Sequence, residues 1–132
     1  MIHIIQRDIT DIGDTPEGLP YYNPDCIVNA SNCELIKGGG VSGAIHDAAG
    51  QCGMEGLTHL ESDAEGIHRI AIGSAVLQRG HALCPWVIQT HPPRNRSWEG
   101  SPNDKWKALL AHSYESCLQL WSDFVRLHYA PE

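Results

Sequence analysis

The sequence predicts a layered α/β domain, because short apolar segments of strand character alternate with segments of helical periodicity. Two stretches carry most of this prediction. In residues 26–50 an apolar run is followed by a polar turn, a glycine run and an amphipathic segment, and in residues 106–124 an apolar stripe keeps a helical period. The chain of 132 residues contains no internal repeat, so we predict a single domain over residues 1–132.

The N-terminal part of the chain is predicted to hold two strands. Residues 3–6 are rich in β-branched side chains, which predicts a short first strand. Prolines and glycines interrupt residues 11–24, so we expect a loop or a loose hairpin there. Residues 26–29 form an apolar run that indicates a buried strand.

The middle of the chain gives weaker patterns. Residues 51–69 mix glycines with helix-forming residues and favour neither state. Residues 71–78 and 86–90 are candidate strands, and the prolines that follow residue 91 stop the second of them. Residues 94–103 are polar and predict a loop.

The last element is predicted as a helix whose apolar side belongs to the core and does not form a platform for a ligand. The side chains that recur at helical spacing are Trp106, Leu109, Leu110, Ser113, Cys117, Leu120, Trp121 and Phe124. Residues 127–130 are predicted to form one more short strand, which Pro131 would stop.

The composition excludes several classes of protein. Apolar residues make up 42% of the chain, as in ordinary globular proteins, and no apolar run approaches the length of a membrane span. The net charge is −7, with nine basic and sixteen acidic residues. General nucleic-acid binding depends on Lys and Arg, so we do not expect it. Binding of a small anion by backbone N–H donors does not depend on Lys and Arg, so the net charge does not exclude it.

The cysteines do not indicate a disulfide framework or a metal site. Their number is five, their spacing is irregular, and no Cys-x-x-Cys pair is present. His81 and Cys84 have the spacing of metal ligands, but no second pair accompanies them, so we expect no metal. Because the N-terminus does not resemble a secretory leader either, we expect an intracellular, cytoplasmic protein.

A glycine run before the first helix predicts an anion-binding loop. Gly38, Gly39 and Gly40 allow backbone N–H groups to approach an anion without a Cβ in the way. The helix that follows directs the positive end of its dipole to the same place. An apolar stripe at helical spacing supports that helix, and it comprises Val41, Ala44, Ile45 and Ala48.

Polar residues flank this loop and its helix. Asn29 and Asn32 follow the buried strand and offer neutral amide groups to a ligand beside the loop. Lys37 precedes the glycines. Of two alternatives, a positive charge beside an anion and a solvated loop lysine, we favour the solvated lysine. Gly50 occupies the position that would end the helix.

Residues 25–32, together with residues 38–50, resemble the signature of the macro domain family, which binds ADP-ribose. Segments similar to other parts of the family follow in the same order along the chain: residues 7–10, 73–76, 86–92 and 113–118. The resemblance covers nearly the whole chain. It implies a three-layer α/β/α fold with a mixed central sheet.

The resemblance also implies roles for individual residues around ADP-ribose. Asp8 would accept a hydrogen bond from the adenine amino group, although an Asp at this position also suits the capping of a turn. Ile9 would line the adenine slot. Asn32 would lie beside the distal ribose, whereas Asn29 would either contact the ligand or order the loop. The segment around the diphosphate corresponds to Gly38, Gly39, Gly40, Val41 and Ser42.

The chain departs from the family pattern in two places. Members that cleave ADP-ribose from proteins often carry an acid at the position of Ser42, and a serine cannot act as a carboxylate base. Other hydrolytic members also lack that acid, so catalysis that depends on Asn32 stays open. The family also continues past residue 132 into a second phosphate loop, a further strand and a helix. A compacted sheet, completion by another copy or by a partner chain, and poor stability are each compatible with this.

We therefore consider three functions in order of preference. The first is binding of ADP-ribose, a related nucleotide-diphosphate ligand or an ADP-ribosylated protein, with no required cofactor. The second is hydrolysis that removes ADP-ribose from modified proteins. The third is a ligand-free interaction module that dimerises or is completed by a partner.

Overall fold

The structure is a computed structural model in which residues 2–13, 22–33, 35–50, 70–93 and 105–129 are described. These residues form three strands and two helices, in the order β1 (Cys26–Ala30), α1 (Gly40–Ala49), β2 (Ala75–Arg79), β3 (Trp86–Thr90) and α2 (Lys105–Tyr129). The ambiguous segment predicted at residues 51–69 and the loop predicted at residues 94–103 lie outside the described residues.

The strands form a mixed sheet in the order β1-β3-β2. β1 runs parallel to β3, with Asn29 opposite Gln89, and β2 runs antiparallel to β3, with Ala75 opposite Thr90. The carboxyl ends of β1 and β3 therefore meet at one edge of the sheet. The turn that joins β2 to β3 lies at the opposite edge.

The two helices cover opposite faces of this sheet. On one face, Ile27 of β1 and Val87 of β3 share a buried cluster with Ile45 and Ala49 of α1. Side chains alternate along a strand, so Trp86 points to the other face. There its ring meets Phe124 of α2, with 4.7 Å between the ring centroids. The predicted α/β/α layering is confirmed.

The helix predicted after the glycine run is confirmed. α1 begins at Gly40 and ends at Ala49, and Gly50 follows with φ of 105°. The backbone N–H of Gly50 donates to the carbonyl oxygens of His46 and Asp47, which satisfies two of the last acceptors of the helix. A left-handed φ favours glycine, so the predicted stop at Gly50 has its expected physical cause.

The C-terminal helix is also confirmed, but its apolar side is covered only in part by described residues. Ser113 and Cys117 are its buried residues, and Trp121 and Phe124 are half-buried. Close packing is evident at Gly73, where a Cβ would lie 2.7 Å from Cδ2 of His112. Trp86, Trp121 and Phe124 form an aromatic cluster, in which the Trp121 ring stacks on the Phe124 ring with 5.5 Å between the ring centroids.

Two predicted strands are wrong, and one is shorter than expected. Residues 3–6 form no strand: Ile4 within the segment is 94% exposed, and Ile2 just before it is 92% exposed. A β-branched run becomes a strand only when it pairs and buries one side, and neither occurs here among the described residues. Residues 127–129 instead continue α2, because no helix-breaking residue precedes Pro131. β2 spans residues 75–79, so it begins four residues later than the expected strand at residues 71–78 and ends one residue later.

The segment predicted as a loop or a loose hairpin is described at its two ends. Gly13 and Tyr22 form an isolated antiparallel bridge, and each donates its N–H to the other's carbonyl oxygen.

Of the helices in the described part of the chain, neither combines the length and the apolar character needed to cross a membrane.

Candidate functional site

The candidate site lies at the edge of the sheet where β1 ends. The chain leaves β1 at Ala30, turns through Asn32 and enters α1 at Gly40. This strand, loop and helix order places the N-terminus of α1 beside the carboxyl ends of the parallel strands, which is where open α/β folds bind ligands. The predicted polar turn and glycine loop therefore meet in space.

Asn32 holds the turn between β1 and the glycine loop. Its Nδ2 donates to the carbonyl oxygen of Ile36 at 2.9 Å, and its Oδ1 accepts from the backbone N–H of Ile36 at 3.2 Å. A side chain that pairs with the backbone in this way substitutes for a turn hydrogen bond. Asn32 therefore orders this turn, a role that the sequence analysis considered only for Asn29.

The glycine loop leaves the start of α1 open. Residues 38–41 are exposed, and Gly39 caps the helix in an extended conformation without any side-chain hydrogen bond. The first turn of the helix contains no acidic residue. Because the first backbone N–H groups of a helix have no intrahelical acceptor, this end presents donors and positive potential toward solvent.

Two glycines of this region are required by geometry. Gly40 has φ of 56°, in the left-handed region that side chains disfavour. A Cβ on Gly43 would lie 2.6 Å from the carbonyl oxygen of Gly38, so only glycine allows α1 to pack this closely on the loop. In contrast, a Cβ on Gly39 would meet no atom within 4 Å, which leaves open space above the loop.

Asn29 and Ser42 lie beneath this loop and contact each other. Asn29 is fully buried, with 0% of its surface exposed, and its Nδ2 is 3.3 Å from Oγ of Ser42. The same Nδ2 donates to Oε1 of Gln89 at 2.7 Å. The Oδ1 atom of Asn29 is buried and has no hydrogen-bond partner among the described residues. Asn29 thus joins β1, β3 and α1 from inside the domain.

Asp8 and Ile9 lie in a separate segment of the described structure. Oδ1 of Asp8 accepts from the backbone N–H and from Oγ1 of Thr10, at 2.9 and 2.7 Å. These two hydrogen bonds lower the pKa of the exposed Asp8 carboxyl below its usual value, the side-chain bond more than the backbone bond. The turn-capping alternative for Asp8 is therefore present in the structure, and the carboxylate is ionised at neutral pH.

Ile9 is half-buried and packs against the same core cluster as α1. Its carbonyl oxygen accepts a hydrogen bond of 2.8 Å from the Tyr22 hydroxyl, which fixes the backbone of this segment. The guanidinium of Arg7 lies 5.1 Å from the centre of the Tyr22 ring. The structure thus places Ile9 against the core cluster. Asp8 is exposed, and no described contact joins it to the glycine loop.

Lys37 is ion-paired, which refines its interpretation as a solvated lysine. Its Nζ contacts Oδ1 of Asp47, on the exposed side of α1. His46 lies nearby and is buried, and its Nε2 has no hydrogen-bond partner among the described residues. Burial lowers the pKa of His46, the positive charge of Lys37 adds to this effect, and Asp47 partly opposes it.

The buried thiols are not poised as nucleophiles. Burial raises the pKa of Cys26 to about 12, and it also raises the pKa values of Cys84 and Cys117. No group of three metal-ligating side chains occurs among the described residues, so His81 and Cys84 find no further ligands there.

A concavity lies at the opposite edge of the sheet, around the turn between β2 and β3. None of the predicted ligand residues lines it. Its lining comprises Asn23, Arg79, His81, Ala82, Leu83, Cys84 and Pro85. This turn is tight, because a Cβ on Gly80 would lie 2.2 Å from the carbonyl oxygen of Cys84.

Sequence reasoning missed Gln78, Gln89 and His46. Gln89 is fully buried, and its Nε2 donates to Oε1 of Gln78 at 3.2 Å. The available signal was an uncharged polar residue inside the apolar run of β3, since a buried amide requires a partner. Its main partner, Asn29, is sixty residues away in the sequence, so spacing alone could not identify the pair.

Comparison with known proteins agrees with this architecture. A family model described as Macro domain matches residues 28–125. The chain is 34% identical over 120 residues to O-acetyl-ADP-ribose deacetylase 1 of Pantoea vagans, covering 90% of this chain and 60% of that protein. It is 39% identical over 120 residues to a macro domain-containing protein of Lactiplantibacillus plantarum, covering 90% of this chain and 58% of that protein.

Solved structures give the same result. A mutant of the Oceanobacillus iheyensis macrodomain with ADPR superposes with a TM-score of 0.60 and 30% identity, over 86% of this chain and 54% of that one. The chain therefore spans little more than half the length of the proteins it matches. The matched segments, the mixed sheet and the two covering helices together show that the chain belongs to the macro domain family.

Proposed function

We propose that this protein binds ADP-ribose, with the diphosphate held by the backbone N–H groups at the start of α1. The observation that carries the proposal is the exposed segment of residues 38–41, which enters a helix without a side-chain cap. Such an end binds anions through its unpaired donors and the helix dipole. Local backbone donors also suit a chain whose net charge is −7.

The remaining predicted contacts complete this proposal. Asp8 is ionised and uses Oδ1 for its turn, so Oδ2 is the atom that would accept the adenine amino group. Ile9 would contact the adenine ring. Asn32, fixed beside the loop by Ile36, would lie near the distal ribose. Two compared proteins support this choice of ligand, one named as an O-acetyl-ADP-ribose deacetylase and one solved with ADPR.

Titration calorimetry with ADP-ribose tests the proposal, with adenosine as the comparison because it lacks the phosphates. We expect heat and a thermal shift with ADP-ribose and neither with adenosine at the same concentration. We expect Asp8→Ala to weaken binding, whereas Asp11→Ala, which removes an exposed partner of Arg7, should not. Absence of heat and of a thermal shift at millimolar ADP-ribose would reject the proposal.

Hydrolysis of ADP-ribosyl groups is the second candidate, favoured by relatives whose names include O-acetyl-ADP-ribose deacetylase and ADP-ribose glycohydrolase. Ser42 is a buried hydroxyl at the position of the family acid, so a water would have to be oriented by Asn32 and by the substrate itself. Release of ADP-ribose from a modified protein tests this. Asn32→Ala should abolish release, and Asn23→Ala, at the opposite edge of the sheet, should not. Release no faster than a blank would exclude hydrolysis.

An interaction role is the third candidate, and the apolar residues exposed on α2 favour it. Tyr114, Leu118 and Leu127 are 67%, 70% and 78% exposed. Tyr114 and Leu118 lie one helical turn apart on the same side of α2, and adjacent exposed apolar side chains of this kind are found at contact surfaces. Sedimentation velocity tests whether the protein dimerises, and a monomer that ADP-ribose stabilises would exclude a purely structural role.

A further inference from the structure

Three side-chain amides form a hydrogen-bonded row across the sheet, on the face that α1 covers. Asn29 Nδ2 donates to Gln89 Oε1 at 2.7 Å, and Gln89 Nε2 donates to Gln78 Oε1 at 3.2 Å. Gln89 is the register partner of Asn29, and Gln78 lies diagonally across on β2. The row therefore has one member on each described strand and one direction of donation.

The interior of this row is fully buried. Asn29 and Gln89 both have 0% of their surface exposed. A buried amide must be hydrogen-bonded to be tolerated, and replacing both partners of such a pair by apolar groups of the same shape is often neutral for stability. Apolar side chains of the same shape could therefore fill this part of the core. What the amides add is a set of hydrogen bonds with a defined direction.

The row ends at Ser42, directly beneath the glycine loop. The Nδ2 group of Asn29 has two hydrogens, and its second partner is Oγ of Ser42 at 3.3 Å. Ser42 accepts this bond, and its own hydroxyl hydrogen has no acceptor among the described residues. Ser42 is 8% exposed, and its Oγ lies 3.9 Å from the position of a Cβ on Gly38. The hydroxyl is thus a donor held next to the open loop.

We propose that Gln89 is a positioning residue for the anion site. Anchored by Gln78, it fixes the Asn29 amide with its N–H toward Ser42, so that Ser42 presents its hydroxyl hydrogen to an oxygen of the bound diphosphate. This inference rests on the proposed ADP-ribose binding and specifies its chemistry. The site selects an oxygen that only accepts hydrogen bonds, as phosphate oxygens do, and the Ser42 hydroxyl does not serve as a base.

A double-mutant cycle measures this coupling with ADP-ribose as the probe. Gln89→Leu removes the middle member of the row and Ser42→Ala removes the hydroxyl at its end beneath the loop. Calorimetry gives the affinity of each variant. One neutral hydrogen bond corresponds to a loss of roughly three- to tenfold in affinity. If Gln89 acts through Ser42, the double variant should bind no more weakly than Ser42→Ala alone. Gln78→Leu, at the half-buried end, tests the same coupling should Gln89→Leu fail to fold.

Thr90→Val is the matched control. Thr90 follows Gln89 on β3, is 5% exposed, and donates from Oγ1 to the carbonyl oxygen of Ser74 at 2.8 Å. It faces α2, so its loss should lower the free energy of unfolding and leave ADP-ribose affinity unchanged. Additive losses in the cycle, or an equal loss in Thr90→Val, would overturn the inference while ADP-ribose binding stands. Failure of the wild-type protein to bind ADP-ribose would overturn both.

Discussion

The two helices of this domain differ in length and in how much of their surface is buried. α1 has ten residues and buries five of them, and it begins at a glycine cap with no side-chain hydrogen bond. α2 has twenty-five residues, buries only two, and carries an aromatic cluster against β3. The shorter helix is the more deeply packed, although its start at Gly39 has no side-chain cap.

The start of α1 is the place where we expect lower local helix stability to accompany ligand binding. An ordinary cap residue at position 39 would satisfy a first-turn N–H group of α1 and contribute roughly a few tenths of a kcal/mol relative to glycine. Glycine at this position leaves those groups to solvent or to a ligand. The buried side of α1, including Asn29 beneath it, holds the helix in place instead.

Gly43→Ala should give the largest effect, because it pushes α1 and the loop apart. The added Cβ would lie 2.6 Å from the backbone oxygen of Gly38, which cannot rotate away. We expect a loss of about 2 kcal/mol in the free energy of unfolding together with loss of ADP-ribose binding. Urea denaturation and calorimetry measure the two quantities. Gly39→Ala, which meets no atom, is the control for stability, and equal stability of the two variants would contradict this packing.

Phe124→Ala should affect α2 without affecting the site. Phe124 packs on Trp86 and Trp121, with ring centroids 4.7 and 5.5 Å away. Removal of a half-buried ring should cost about 2 kcal/mol of stability. ADP-ribose affinity of the folded variant should be unchanged. Leu118→Ala, which alters a side chain that is 70% exposed, should leave both quantities unchanged. A weaker affinity in Phe124→Ala would show that the two helices are coupled.

Gly39→Asp should stabilise α1 and block the site. The extended backbone at this position suits an Asp cap, and its carboxylate would occupy the donors and repel an anion. We expect a gain of about 0.5 kcal/mol in stability and at least a tenfold loss of ADP-ribose affinity. Thermal melting with and without ligand measures both. An Asp variant that binds as well as Gly39→Ala would place the anion elsewhere.

His46 should make stability fall in weak acid. Its pKa is lowered in the folded state, so the unfolded chain binds more protons between the folded pKa and the ordinary value of 6.5. The contribution is complete above that ordinary value and is lost as the pH falls toward the folded pKa, by less than about 1.4 kcal/mol per pH unit for one proton. Urea denaturation at several pH values should show a smaller slope in His46→Gln. Equal slopes would show that folding does not lower the pKa of His46.

The sequence predicted those elements whose signals are local. The bounds of β3 and the glycines at both ends of α1 follow from apolar runs and from backbone requirements that a few neighbouring residues satisfy. The strand predicted at residues 3–6 is wrong because a strand requires a pairing partner, and the composition of a segment does not show whether one is present. The strand predicted at residues 127–130 is wrong because a short apolar segment is compatible with a strand or a helix, and α2 continues through residue 129.

The candidate site was predictable only on its surface. The glycine loop and Asn32 are adjacent in sequence and were identified together. The buried contacts of Asn29 depend on how β1, β3 and α1 pack, which no local pattern specifies. Asp8 showed the turn contact that its residue type favours, and its ligand role stays a prediction.

If the open start of α1 binds an anion, the rigidity of its first turn should depend on whether that anion is bound. Without an anion, the first turn of this helix should open locally and exchange its amide hydrogens quickly. An anion seated there would supply the acceptors that the chain omits, so the ligand would complete a piece of secondary structure. Slower hydrogen exchange at residues 40–42 would then report occupancy before any global change in melting.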